Sequence, residues 1–321
     1  MDSSDMTAIL SDDLLAQVAE RTSQCDIKIW GFGVGPALVG LVNAAELLGN
    51  SSWVDRVDQL ISPHLDSPPD PTDHLISVEA LLGLGRARPG LLIQPAIERF
   101  VGAVTQAQRV IEGQPPVHRP DLEPLSRTIW VDCMHTDGPG LAAIGRSAAA
   151  RAGAEEVSAV LQDSSGLYSH AYDIAAKKAN GVHWGRGQGW ALHGLVLGAG
   201  SGELSGRLDR LLEAMAHHEV DGRWRTVVDS HDAPWEASVS AIMASGILLG
   251  VTHGKVSTEW LPLARRALAA AAYQVDPEGG LPVSEATPAS VEASYFTRAS
   301  GVFPWGQGPL LLALIEGRKH L

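Results

Sequence analysis

Trp184-Gly185-Arg186-Gly187-Gln188-Gly189-Trp190, running on as ALHGLVLG to residue 198, places glycine at every second position and then turns into an apolar run. Glycine lets the backbone turn tightly and come close to a neighbour, and the Trp ahead of it offers a flat ring at a helix start. The same W-G-x-G pattern recurs as Trp30-Gly31-Phe32-Gly33 and Trp305-Gly306-Gln307-Gly308, and each copy leads into an apolar helix. Recurrence of one local unit along a chain is the mark of a repeated architecture. The expectation is an all-α fold, a ring of helical hairpins whose inner helices begin around one cavity. A plainer reading, in which these glycines only let helices pack closely, stays open for any single copy.

Outward from these motifs, apolar residues recur at intervals of three and four, and two-residue alternation is scarce. Caps and breakers predict twelve helical stretches, near 10–22, 34–49, 52–62, 73–84, 92–112, 137–150, 153–163, 186–198, 205–218, 234–250, 258–273 and 304–316. Residues 26–30 and 128–131 read as short strands. Two proline-rich connections, 62–73 and 113–125, are predicted to be loops at the rim of a site, because helical pattern resumes at once on either side. Residues 1–321 are expected to form a single domain.

The formal charge of −13 argues against nucleic acid as a partner, since phosphate contacts need clustered Lys and Arg. No run approaches the roughly 18 apolar residues of a membrane span. The start, MDSSDMTAIL, has neither a basic nor an apolar leader region, so the protein is expected in the cytoplasm and not in a membrane. Two cysteines, Cys25 and Cys133, are too few for a disulfide framework. Nine Trp against four Phe and four Tyr invert ordinary core usage, and their Gly and polar neighbours suit sugar-stacking faces.

The chemistry-bearing residues are few. GFGVGP (31–36) lacks the third glycine of a dinucleotide fingerprint, and no P-loop, H-E-x-x-H, C-x-x-C or G-x-S-x-G is present. Ile129-Trp130-Val131-Asp132-Cys133-Met134 sets one carboxylate inside an apolar run, which suits a proton donor. The alternative is that Asp132 simply caps the helix of DGPGLAAIGR. Asp73, before His74 and LISVEALLGL, is an equally good cap, and the two roles are compatible if helix starts line the cavity. The densest polar constellation is GLYSHAYD (166–173) with His183 and the WGRGQGW stretch. There Arg186 can grip a carboxylate, Trp184 and Trp190 can stack on a sugar, and Gln188 can share hydroxyl hydrogen bonds.

At these residues the sequence resembles the unsaturated uronyl hydrolases of glycoside hydrolase families 88 and 105, and the rhamnogalacturonyl type more closely. The likeness runs in order through WGFGVGPALVGL, IWVDCMHTDGPGLA, SGLYSHAYD, WGRGQGW, WEASVSA and WGQGPLLLAL, from about residue 30 to 316. The resemblance implies an (α/α)6 barrel, with Asp132 as the acid/base and Asp73 at the second acidic position. It places His170, Trp184, Arg186 and Trp190 at the substrate, and Trp30, His74, His135, Gln188 and Trp305 complete the candidate contact set. This chain reads SHAYD where a second Trp is common, which bears on the leaving-sugar subsites.

The implied reaction is hydration of a C4=C5 enol ether on a terminal uronic acid, with an oligosaccharide as partner and no metal or organic cofactor. A conventional inverting glycosidase using Asp132 and Asp73, and a noncatalytic sugar-binding toroid, are the alternatives. The oligomeric state is open, a homodimer being one option.

Overall fold

The computed structural model describes residues 3–27, 33–66, 77–106, 115–117, 119–120, 123, 125–198, 203–289 and 292–321. In chain order its helices are α1 (Ser3–Ile9), α2 (Asp12–Ser23), α3 (Gly35–Leu48), α4 (Ser51–Ile61), α5 (Val78–Ala87), α6 (Gln94–Gln106), α7 (Cys133–Ala143), α8 (Ser147–Leu161), α9 (Gly185–His193), α10 (Glu203–His217), α11 (Ala237–Thr252), α12 (Leu261–Ala272) and α13 (Pro304–His320).

Their apolar patterning sorts them into two layers. Every residue of α11 from Ala237 to Leu248 is buried, as is every residue of α13 from Gly306 to Gly317. In contrast α4 buries only the stripe Trp53, Val54, Val57 and Ile61. A helix apolar on all sides needs neighbours on all sides, so α11 and α13 are inner elements and α4 is an outer one. The inner layer is α3, α5, α7, α9, α11 and α13; each contacts the next, and α13 contacts α3. Against them pack α2, α4, α6, α8, α10 and α12, while α1 rests on α12. This is the (α/α)6 arrangement of six helical hairpins expected from the sequence.

Each predicted stretch overlaps an observed helix, with two differences. The break expected at 151–152 lies instead at 144–146, where Gly145 takes φ +79°, a left-handed turn that glycine adopts without a Cβ clash. The Ala-rich run 147–154 holds only one helix-weakening residue, Gly153, which α8 passes through. The other difference is α1, which no apolar periodicity announced.

Short strands edge one end of the ring. A three-stranded antiparallel sheet has the order β1 (Thr128–Trp130), β2 (Ala171–Asp173), β3 (Lys178–Ala179), and β4 (Pro282–Ser284) pairs with β5 (Ser300–Val302). The strand expected at 26–30 is not formed at Asp26 and Ile27, and residues 28–30 lie outside the described part. No helix among the described residues is long and apolar enough to cross a membrane. Neither Cys25 nor Cys133 is in a disulfide, and both are buried.

Candidate active site

Four inner helices start around one cavity of about 530 Å³, which is lined by the residues capping them: Val34 for α3, Asp132 for α7, Trp184 for α9 and Phe303 for α13. Strand pairing decides which side chains meet there. In the β1–β2 register Trp130 faces Ala171, and the ladder continues as Val131 N–H donates to His170 C=O at 3.0 Å. Asp132, the second residue beyond β1, and His170, the residue just ahead of β2, are thereby brought together at the cavity.

Asp132 occupies the N-cap position that the plainer reading gave it, yet its side chain makes no capping hydrogen bond. The carboxylate lies in the cavity wall instead, 7% exposed as a residue. Its Oδ2 is buried, makes no hydrogen bond among the described residues, and faces His170 Nε2 at 3.3 Å. At that distance the pair is in reach of a charge-assisted hydrogen bond without yet making one. His170 Nδ1 lies 2.7 Å from the Tyr295 hydroxyl, which also receives Asn180 Nδ2 at 3.5 Å. Burial pushes the Tyr295 phenol well above its ordinary pKa, so it keeps its proton. When Asp132 is ionised, Nε2 must carry the imidazole proton; Nδ1 then accepts from Tyr295 O–H. The result is an ordered line from Asn180 through Tyr295 and His170 to Asp132.

The His170 ring also stacks on Trp184, with centroids 4.3 Å apart and planes at 23°. Arg186 lies over Trp184 at 4.8 Å and over Trp305 at 5.9 Å. Its guanidinium does not have the role expected of it. Nη1 donates to the Ser284 carbonyl and hydroxyl at 3.0 and 2.9 Å, and Nη2 to the Glu285 carbonyl at 2.8 Å and the Thr287 hydroxyl at 3.3 Å. Glu236 Oε1 stands 3.7 Å from Nη1 and bonds Ser284 N–H and Ser238 as well. The fork expected to grip a substrate carboxylate is committed to protein acceptors, and it holds segment 284–287 against the cavity. Burial pulls the guanidinium below its ordinary pKa, opposed by the carboxylates of Glu236 and Asp132.

Gln188 is a further correction. It is fully buried; its Oε1 accepts from Tyr168 N–H at 2.8 Å, and its Nε2 donates to the carbonyls of Tyr168 and Trp184 at 2.7 and 3.1 Å. A buried amide bonded on both sides to backbone has nothing left for a sugar. Gln307, the polar residue of the third W-G-x-G copy, is bonded similarly to the backbone at Leu281 and Gly279. His135 is corrected too: it does not line the cavity but stacks on Trp190 at 4.6 Å, and burial beside His193 pushes its pKa down to about 3.

Trp190 and Trp184 line the cavity but are 2% and 4% exposed, so they are wall rather than open stacking platforms. Trp305 is half-buried, stacks on Phe303 at 4.7 Å and donates from Nε1 to the Ser284 carbonyl at 2.9 Å. The two described W-G-x-G tryptophans therefore share a rim and not a register: Trp184 caps α9 and Trp305 is the second residue of α13, while Trp30 lies outside the described residues. Their glycines serve close packing as well, for a Cβ on Gly185 would stand 2.6 Å from Val239. Asp73 and His74 also lie outside the described residues. The sequence pattern gives no sign of Tyr295, whose contact to His170 spans 125 positions and leaves no local trace, or of Phe303, which no motif marks.

The sequence profile of glycosyl hydrolase family 88 matches residues 13–321. The chain belongs to this family. As a family 88 member it is a glycoside hydrolase. It is 25% identical to the unsaturated rhamnogalacturonyl hydrolase YesR of Bacillus subtilis, over 95% of this chain and 94% of that protein. Its fold is that of a possible GH105 member from Klebsiella pneumoniae, with a TM-score of 0.82 at 18% identity over 100% of this chain and 95% of the other. The unsaturated glucuronyl hydrolase of Bacillus sp. GL1 aligns with a TM-score of 0.72 at 14% identity, covering 94% of each chain.

Proposed function

We propose that this family 88 chain releases a 4,5-unsaturated uronic acid from the nonreducing end of oligosaccharides left by polysaccharide lyases, by hydrating the enol-ether double bond. The observation that carries the reading is Asp132, a buried carboxylate at a helix N-cap that leaves the cap unbonded and faces His170 in the cavity. The naming of relatives as unsaturated rhamnogalacturonyl and glucuronyl hydrolases supports the substrate class.

The chemistry needs one acid that becomes one base. Protonated Asp132 delivers its proton to C4, and positive charge develops at C5, shared with the ring oxygen. The carboxylate so formed gains the His170 Nε2–H contact, an interaction stronger after proton transfer than before it. Water then adds at C5 and returns a proton to Asp132. The C5 hemiketal opens to a ketone, leaving a hemiacetal at C1 that expels the neighbouring sugar. Asp132 and His170 thus suffice for the proton traffic, and the tryptophans exclude bulk water around them. In a conventional inverting mechanism water would attack C1, and a second carboxylate about 6.5–9.5 Å away would be required.

The experiment follows the enol-ether ultraviolet absorbance with a panel of lyase-generated disaccharides, and then repeats the reaction in isotopic water. Loss of absorbance, with 18O entering at C5 and deuterium at C4, is expected. Cleavage of saturated uronides with 18O at C1 would overturn the proposal.

A further inference from the structure

Beside the cavity lies a second hollow, of about 350 Å³, lined by Thr128, Asp173, Ala176, Lys178 and Asn180 among others. Leu125 and Ala289 line both spaces, so the two meet along a shared edge. Its floor is the β1–β2–β3 sheet. Asp173 and Lys178 are paired across β2 and β3, which puts their side chains on one face with opposite charges. Asp173 Oδ1 accepts from the backbone N–H groups of Ala175 and Ala176 at 2.8 and 2.9 Å, which fixes the turn joining the two strands. Between these polar groups stand small side chains, Ala171, Ala176 and Ala179, and none of the tryptophans that enclose the first cavity.

An ammonium, a carboxylate and a hydroxyl over a shallow apolar floor match a ring bearing several hydroxyls, each of which both donates and accepts, while the Asn180 amide is held by Ala171 and Val182 N–H and by Tyr295. The paired charges cancel, so an anionic sugar that gained at Lys178 would meet Asp173. We propose that this hollow is an outer subsite for a neutral sugar of the leaving chain, so that the enzyme reads its substrate beyond the unit it releases. The inference rests on the hydrolase reading above. The unsaturated unit sits with Asp132, and the chain leaves past Leu125 and Ala289. Asn180 joins the two spaces, for it lines the hollow and donates to Tyr295, which orients His170. Filling the hollow therefore acts on turnover as well as on binding.

The test compares kcat/KM for an unsaturated tetrasaccharide with that for the disaccharide from the same lyase digest. The wild-type ratio is expected to be at least about fivefold, the worth of one hydrogen bond. Ala176→Trp, an exposed turn position, should bring the ratio to about one by filling the hollow, and Lys178→Ala should lower it. The ratio is internal to each variant, so general loss of folded enzyme does not move it. Disaccharide turnover with a wild-type ratio of one would overturn the outer subsite while leaving the hydrolase reading intact. A ratio that survives both variants would overturn it as well. If the ratio is raised only when the second or third sugar carries a carboxylate or sulfate, the assignment to a neutral sugar is wrong. Absence of turnover with every unsaturated substrate would overturn the hydrolase reading and this inference with it.

Discussion

Tyr295→Phe isolates the line of hydrogen bonds behind Asp132. Phe preserves the ring and its edge contact with His170, whose centroids lie 5.7 Å apart at 73°, and removes only the hydroxyl 2.7 Å from Nδ1. Two effects follow. Nδ1 becomes a buried acceptor without a partner, which costs about 1–3 kcal/mol of stability. In addition, nothing now holds the imidazole proton on Nε2, so the tautomer with a bare lone pair facing Asp132 becomes accessible. Asp132 then forfeits a hydrogen bond to its charged form, worth about 1.5–3 kcal/mol, or about 10- to 150-fold in kcat. Tyr295 does not line the cavity, so KM should stay nearly constant. The assay is kcat and KM from the decay of enol-ether absorbance, with urea unfolding measured in parallel. A folded variant whose kcat stays within about twofold of wild type would show that the His170 tautomer is held by something else, and would refute the relay.

Other perturbations separate the remaining roles. Asp132→Asn should fold, since its side chain caps nothing, and should lose about a hundredfold to ten-thousandfold in turnover; a folded variant above a tenth of wild-type activity would exclude it as the acid. Arg186→Met leaves Glu236 buried without its cation and should cost about 3–5 kcal/mol by chemical denaturation, whereas Arg186→Met with Glu236→Gln should cost less than the two single changes summed. His193 is buried with its pKa pushed down to about 4, so the unfolded chain takes up a proton below about pH 6.5 that the folded chain refuses until about pH 4. Stability should thus be full above pH 6.5 and fall towards pH 4, His193 contributing about 3 kcal/mol and His135 a further share, and His193→Gln should make the decline shallower without abolishing it in urea titrations at stepped pH.

The helical architecture was legible in the residues alone, and so was Asp132 as the candidate acid. Apolar spacing of three and four marks helices wherever they pack, because a helix must present its stripe to a core whatever the core contains. The W-V-D context was equally legible, since a carboxylate between apolar neighbours is a local anomaly. What each polar residue of the W-G-R-G-Q-G-W stretch does was settled only by folding. Arg186 and Gln188 offered the right donors for a sugar, but their hydrogen bonds go to Ser284, Glu285 and Tyr168, partners between 20 and about 100 positions away. A donor's partner is chosen in three dimensions, and no spacing rule reaches that far. The same holds for Tyr295, an ordinary aromatic in sequence that becomes the support of His170 only because the ring of hairpins closes and returns segment 292–295 to the mouth of α9. Patterning repeats locally and can be read along the chain, whereas the site is an intersection of distant segments and exists only once the barrel is built.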